Sequence, residues 1–471
     1  MNIYLKNTLS GEIEKFKPLN SKKIGMYNCG PTVYNKAHIG NISSYIFADT
    51  LKRLFENQGY YVDQVINITD VGHLTDDSDN GEDKMEKASQ MTGNSAVSIS
   101  KKYTDLFFKD LTKLNIDIGK IKFPKATDHI SEQIDLIKKL DEVGMIYETS
   151  DGVYFNTAKY SDYGKLGNIN IEELKEGARV DSNNEKINPA DFALWKLSKI
   201  GQKRQQEWNS PWGVGFPGWH IECSAMSRKY LGETFDIHTG GIDHIPTHHN
   251  NEIAQSEGAF GKPLANYWMH FNHIMLNGEK ISKSIGNVLY IDDLEEKGYS
   301  PEIFRYWFLT SHYSTPANFT WESLSASKSA FLKLKRFVIE NNIPNKKGKV
   351  NKKYYKLALK ELNHDLGTPE AIAVIWELLK DKKINDFDKT RTILELDNFL
   401  GLDLISKFKE SIIPKNIMGL LSERNKAKNN RDYSESDRIR GEILNKGYKI
   451  QDVPNGVEVI LPNGSKIFVK K

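Results

Sequence analysis

Only two cysteines occur in the 471 residues, Cys29 and Cys223, and each stands among residues able to do chemistry. Cys29 lies in Ile24-Gly-Met-Tyr-Asn-Cys-Gly-Pro-Thr-Val-Tyr-Asn-Lys-Ala-His-Ile-Gly-Asn41, which also carries His38. Cys223 lies in the aromatic, turn-rich Pro217-Gly-Trp-His-Ile-Glu-Cys-Ser-Ala-Met226. Further on, His248 and Glu252 stand four residues apart in a helical stretch, so they share one face. Thiolate, imidazole and carboxylate are the donors zinc prefers, usually four at a time. Cys29, Cys223, His248 and Glu252 therefore form a candidate metal set, with His244, His249 and Glu257 as alternatives. The cysteines are far apart in sequence, so only the fold can unite them. A single disulfide in a large cytosolic protein is disfavoured.

A second group is built for phosphate. His38, Asn41, Lys280 and Lys283 combine an imidazole, an amide and two ammonium groups, the lysines framing Ile-Ser in the polar loop Asn277 to Ser284. Attack on the α-phosphate of a nucleoside triphosphate builds charge on its oxygens and on the departing pyrophosphate. Fixed donors and cations aimed there lower the barrier.

The elements that must hold these groups follow from pattern. Ile24 to Tyr27 reads as a buried strand. A helix follows His38, with Phe47, Leu51, Leu54 and Phe55 on one face and Gly59 as its stop signal. Tyr61 to Asp70 reads as a second strand. Strand, helix, strand predicts a parallel sheet with ligands beyond the strands' carboxyl ends. The unpaired N–H groups opening the helix suit phosphate. Residues 85–145 are mostly helical in pattern. Ser150-Asp151-Gly152 is a hairpin turn. Another helix starts near His220, and Phe235 to Asp243 forms a further strand. From about residue 300 the periodicity is that of a helix bundle, with lysine-rich Asn341 to Lys360 read as a linker. The predicted fold is α/β. A Rossmann-like parallel-sheet domain (1–120 and 206–275) carries an insertion (121–205). A loop region (276–320), a helical bundle (321–405) and a small α+β domain (406–471) follow.

Apolar residues make up 39% and charged residues 27% of the chain, with a formal charge of +3. This describes a globular protein and permits nucleic-acid binding without arguing for it. No apolar run reaches membrane-spanning length and no secretory signal opens the sequence, so a cytoplasmic location is expected. The acidic loop Asp76 to Asp83 reads as a solvated flap.

Taken together, His38-Ile-Gly-Asn41 and Lys280-Ile-Ser-Lys-Ser284 resemble the HIGH and KMSKS signatures of class I aminoacyl-tRNA synthetases. Tyr27-Asn-Cys-Gly-Pro-Thr-Val-Tyr34, Asn67-Ile-Thr-Asp70, Phe192-Ala-Leu-Trp-Lys196, Pro217 to Met226 and Asn251-Glu-Ile-Ala-Gln255 narrow the resemblance to cysteinyl-tRNA synthetases. It covers most of the chain and is strongest over residues 1–290. The resemblance implies one zinc ion on Cys29, Cys223, His248 and Glu252. It implies cysteine contacts at Thr69, Trp219, His238 and Asp243. Nucleotide contacts fall on His38, Gly40, Asn41 and Lys283. ATP with Mg²⁺, L-cysteine and tRNA-Cys are the implied substrates, and a monomer is expected. Asn41 replaces the signature's last histidine, and Ser314-Thr315 stands where a basic residue is expected. Arg424, Lys426, Lys428, Arg431, Arg438 and Arg440 form a basic helical cluster at the expected anticodon end. Two other functions fit the motifs less fully: a ligase joining cysteine to a small amine, for which residues 400–471 would be superfluous, and a non-catalytic tRNA- or metal-binding relative.

Overall fold

A computed structural model describes residues 2–71, 84–169, 185–199, 201, 204–281, 286–342, 348–406, 415–453, 456–460 and 466–470. The acidic loop, part of the insertion and Lys283 lie outside these residues.

Five parallel strands organise the molecule: β1 (Lys23–Asn28), β2 (Tyr61–Ile66), β3 (Ile121–Lys122), β4 (Phe235–Gly241) and β5 (Ala265–Phe271), in spatial order β5-β4-β1-β2-β3. β2 and β4 are buried along almost their whole length, as strands covered on both faces must be. One cover is helix α1 (Ile39–Glu56), whose Phe47, Leu51, Leu54 and Phe55 are all buried. It ends on Asn57, two residues before the predicted stop, and Gly59 takes up the following turn with φ +91°. Two more helices, α2 (Trp219–Leu231) and α3 (Asn250–Phe260), serve the other half of the sheet. The chain leaves β1 towards β2 on one side, while β4 pairs with β1 on the other. That reversal of strand order opens a crevice at the carboxyl ends of β1 and β4.

Residues 146–217 contribute a separate five-stranded antiparallel sheet, Ile146–Thr149, Gly152–Phe155, Phe192–Leu197, Gly213–Pro217 and Trp208–Ser210 in spatial order. The predicted hairpin at Ser150 to Gly152 joins its first two strands. Its core takes in Ile221 of α2 and Ala254 of α3, which seats it against the crevice.

Helices Trp321–Asn341, Thr368–Lys380 and Asp386–Leu400 pack into one core with α1 and the parallel sheet. Arg305, fully buried, fastens these parts by binding the carbonyls of Leu114 and Leu400 and, at 2.5 Å, the Asp49 carboxylate. At the other edge, Tyr4 exchanges backbone hydrogen bonds of 2.8 Å with Asn363 and Asp365. The lysine-rich run read as a linker contains a helix, Lys352–Leu362. Asn351 caps it, and Tyr354, Ala358 and Leu362 are buried at four-residue spacing. The abundance of lysine hid that stripe.

Residues 415–470 form helices Lys415–Asn429 and Tyr433–Asn445 beside a three-stranded antiparallel sheet, with a small core of their own. The basic cluster predicted here is not one free surface. Arg424 is buried and grips Asp452 through both guanidinium nitrogens at 3.1 and 2.9 Å; Lys428 joins the same carboxylate, and Arg438 pairs with Glu435. Among the described residues no helix is long and apolar enough to cross a membrane.

Candidate active site

The crevice is a cleft of about 520 Å³. β1 delivers Cys29 to its floor, where the Cys29 N–H donates to the Thr239 carbonyl of β4 at 3.1 Å. Gly30 is obligatory next to it, since a Cβ there would sit 1.5 Å from the Asn67 carbonyl oxygen. Helix α2 follows its N-cap, Gly218, and presents Trp219 and Cys223 one turn apart; both line the cleft. A π-helical turn, Ile245–His249, feeds into α3 and carries His248; Glu252 follows one turn later. Such turns recur at functional sites because they re-aim side chains.

The sulfurs of Cys29 and Cys223, a nitrogen of His248 and an oxygen of Glu252 all lie within 4.8 Å of one another. A second set, Cys29, His238, His249 and Glu252, meets the same test. His248 Nε2 stands 2.9 Å from Glu252 Oε1. Neither atom makes a well-directed hydrogen bond, although both are buried. Two thiols, an imidazole and a carboxylate that converge with unused lone pairs fit a metal ion of zinc type.

Electrostatics agree with that fit. Burial works to raise the Glu252 carboxyl, but His238 and His248 overcome it and hold the pKa at about 2. Burial works to lower His248, yet Glu252 and Cys223 carry it up to about 10. Burial pushes the Cys29 thiol up, while its hydrogen bond with Cys29 draws Cys223 down. Negative charge is thus favoured at Glu252 and Cys223, and a cation bound between them would take the place of the His248 proton.

Neighbouring side chains hold the donors in place. His248 Nδ1 lies 2.9 Å from His220 Nδ1, so its second nitrogen is already engaged. The Trp219 ring packs on His248, with centroids 4.2 Å apart. Thr69 lines the cleft and accepts from Asn67 at 3.0 Å. Buried Glu222 lies within hydrogen-bond reach of Thr69; burial, then Asp70, raises its pKa well above the usual carboxyl value. His238, which the resemblance marks as a cysteine contact, is not among the residues lining the cleft. It is fully buried, stacks on Trp268 and binds Glu252 Oε2 at 2.8 Å, one layer behind the cleft wall. That bond restrains the Glu252 carboxylate.

His38, Gly40, Asn41 and Lys280 stand at the mouth. His38 caps α1: its Nδ1 accepts the Asn41 N–H at 3.2 Å, and Asn41 Oδ1 accepts the His38 N–H at 3.3 Å. The reciprocal pair fixes both orientations. With Nδ1 accepting, His38 carries its proton on Nε2; with Oδ1 accepting, Asn41 keeps its NH₂ as donor. A Cβ on Gly40 would press to 3.1 Å on the His38 ring. Asp243 holds Lys280 Nζ at 2.9 Å and His273 Nε2 at 3.1 Å, tethering the lysine loop to the end of β4. Sequence reasoning did not single out His220, Glu222 or His270. The first two flank Cys223 and Trp219 in the same motif, while His270 sits in an apolar strand with no local signal.

Residues 15–329 match the family model described as the catalytic domain of class I (C) tRNA synthetases. The chain is 44% identical to cysteine–tRNA ligase 1 of Burkholderia lata, an alignment that spans 97% of this chain and 96% of that one. It is 40% identical to the cysteine–tRNA ligase of Treponema denticola, over 96% and 98% of the two chains. The chain belongs to the cysteinyl-tRNA synthetase family. Membership of this family accounts for a cleft with a nucleotide-type rim and a thiol-lined floor in one class I catalytic domain. Among solved structures, methionyl-tRNA synthetase of Mycobacterium tuberculosis with methionyl-adenylate aligns at TM-score 0.56 and 16% identity, over 81% of this chain and 90% of that one. The Agrobacterium radiobacter LeuRS–tRNA–LeuAMS complex aligns at TM-score 0.58 and 12% identity, over 83% and 85%. Both likenesses concern the fold.

Proposed function

We propose that the chain activates L-cysteine with ATP and Mg²⁺ as cysteinyl-adenylate, then transfers the cysteinyl group to the 3′ end of tRNA-Cys. The reading rests on one juxtaposition: two thiols, an imidazole and a carboxylate converge on the floor of the cleft whose mouth carries His38, Asn41 and Lys280.

The cysteine carboxylate attacks the α-phosphorus; a carboxyl–phosphate anhydride forms as the bond to pyrophosphate breaks. His38 Nε2–H and the Asn41 amide donate to phosphate oxygens from positions fixed by their mutual cap. Gly40 lets the phosphates approach the opening of α1. Lys280 and Lys283 neutralise the charge that grows on the α-phosphate and pyrophosphate. A terminal ribose hydroxyl of the tRNA then attacks the carbonyl carbon and AMP leaves. Cys29, Cys223, His248 and Glu252 would hold a zinc ion, which supplies a soft Lewis acid that bonds thiolate far better than an alkyl hydroxyl. Thr69, Trp219 and Asp243 line the amino-acid pocket, and His238 acts through Glu252. Serine is nearly isosteric with cysteine, so shape alone discriminates poorly. A ~10⁴-fold preference corresponds to about 5.5 kcal/mol, more than a pocket methylene supplies.

The test is cysteine-dependent ATP–pyrophosphate exchange together with metal analysis of the purified protein. One equivalent of zinc, exchange with cysteine and little with serine are expected. Robust exchange in metal-free protein would remove the zinc reading. Acylation of a small amine in preference to tRNA would replace the RNA-charging one.

A further inference from the structure

We infer that His249 donates a hydrogen bond to the Cys29 sulfur and is held in that role by a relay through His270 to Thr8. The inference deepens the metal reading above and rests on it. Three contacts make the relay: Cys29 Sγ to His249 Nε2 at 3.2 Å, His249 Nδ1 to His270 Nε2 at 2.8 Å, and His270 Nδ1 to Thr8 Oγ1 at 2.7 Å. Both imidazoles are buried, and Thr8 lies part-exposed at the far end.

A neutral imidazole carries one N–H, so the relay has only two polarities. In one, the Thr8 hydroxyl donates to His270, His270 Nε2–H donates to His249, and His249 Nε2–H donates to sulfur. In the other every arrow reverses, and His249 Nε2 turns a lone pair towards Cys29. A metal-bound thiolate has no proton to give, so two lone pairs would then meet at 3.2 Å. The first polarity removes that conflict. The reversed polarity would instead make His249 a ligand, in the set Cys29, His238, His249 and Glu252. That set omits Cys223, and both its imidazoles, His238 and His249, lie off the cleft lining, whereas Cys29, Cys223 and His248 of the first set line it and Glu252, common to both sets, is buried behind them. An ion held there would not meet a sulfur arriving from the cleft.

Gly240 shows that the contact is built rather than incidental. A Cβ at that position would stand 2.6 Å from His249 Cε1 and 2.8 Å from Nε2, so only glycine lets this ring lie against the strand end. An N–H donor at a metal thiolate draws electron density from sulfur. It offsets part of the charge that two thiolates and a carboxylate place on one ion, and so leaves the metal acidic enough for a third sulfur.

Cobalt-loaded full-length protein tests this. The wild type should show a sulfur-to-cobalt charge-transfer band. His249→Phe should move that band to lower energy and weaken cobalt retention about 10-fold in chelator competition, the usual scale for a lost outer partner. His249→Gln places an amide N–H near the same position and should restore both. Thr8→Val, at the rim of the fold, should shift the band the same way by less, with an unchanged circular dichroism spectrum; it carries the test if His249→Phe does not fold. Unchanged band and retention in these variants would overturn the inference alone. Complete metal loss in both His249 variants would overturn it by making His249 a ligand. A wild type without the band would remove the metal reading, and the inference with it.

Discussion

The floor and the mouth of the cleft are built on opposite physical plans. On the floor, Cys223, His248 and Glu252 are at most 1% exposed, and Cys29, His248 and Glu252 are each backed by a buried imidazole. At the mouth, Lys280 is 58% exposed on its side chain and is held by one pair with Asp243, while His38 and Asn41 hold each other through a helix cap. The contrast teaches how one enzyme can divide its labour. Discrimination between sulfur and oxygen needs a site rigid before substrate arrives. Handling a polyphosphate that must enter, react and leave suits groups that keep their freedom until charge appears.

Removing a floor donor should break the division most severely. Cys223→Ser is expected to strip the metal, seen by mass spectrometry, and to cut cysteine-dependent pyrophosphate exchange roughly 10³-fold, equivalent to about 4 kcal/mol. Metal retained in that variant would falsify the assignment of Cys223. Lys283→Ala should slow exchange about 10²-fold yet leave metal content at the wild-type level; loss of both together would show that the metal donors and the nucleotide signature are not independent. Gly30→Ala tests whether the floor depends on close backbone approach. Its Cβ meets the Asn67 carbonyl oxygen at 1.5 Å, so chemical denaturation should show a loss of about 3 kcal/mol or more. Asn41→Ala should cost α1 about 1 kcal/mol through the lost cap and lower exchange modestly, with zinc unchanged.

An effect that depends on pH is expected behind the mouth. Asp110, on the helix Ala96–Lys113, is buried near Lys36 and Asp292, and burial lifts its pKa to about 6. A raised carboxyl binds its proton more tightly in the folded than in the unfolded chain. Its contribution is therefore fully present below the unfolded value near 4 and is lost as pH climbs through about 6. Asp110→Asn should raise the melting temperature at pH 7.5, by the equivalent of about 1–2 kcal/mol, and change little at pH 4. An equal gain at both values would rule out ionisation as the cause.

The same contrast governs what could be read from sequence. The parallel core, α1 and the hairpin at residue 150 announce themselves because strand and helix periodicities are local. The four metal-type donors were also legible, since rare cysteines and an i, i+4 His–Glu pair stand out. What surrounds them did not. His270 looks like any residue of an apolar strand until β5 is laid beside β4, and nothing near His238 in sequence announces the Trp268 and Glu252 that enclose it. The antiparallel sheet of residues 146–217 pairs strands separated by long intervals. The helix from Lys352 disappeared because charge outnumbers its three buried positions. Arg424 seemed part of a basic face because nothing nearby in sequence reveals Asp452.

The N-terminal strand, Tyr4–Lys6, has a practical consequence. Residues 4 to 8 bond at one end to Asn363 and Asp365, among the bundle helices, and at the other to Trp268 and His270 beside the floor. An affinity tag fused directly ahead of this ribbon, or a protease that trims it, would tug on both at once. Purification handles belong on the opposite terminus, and a preparation nicked near its start should lose thermal stability before any change is visible in the cleft.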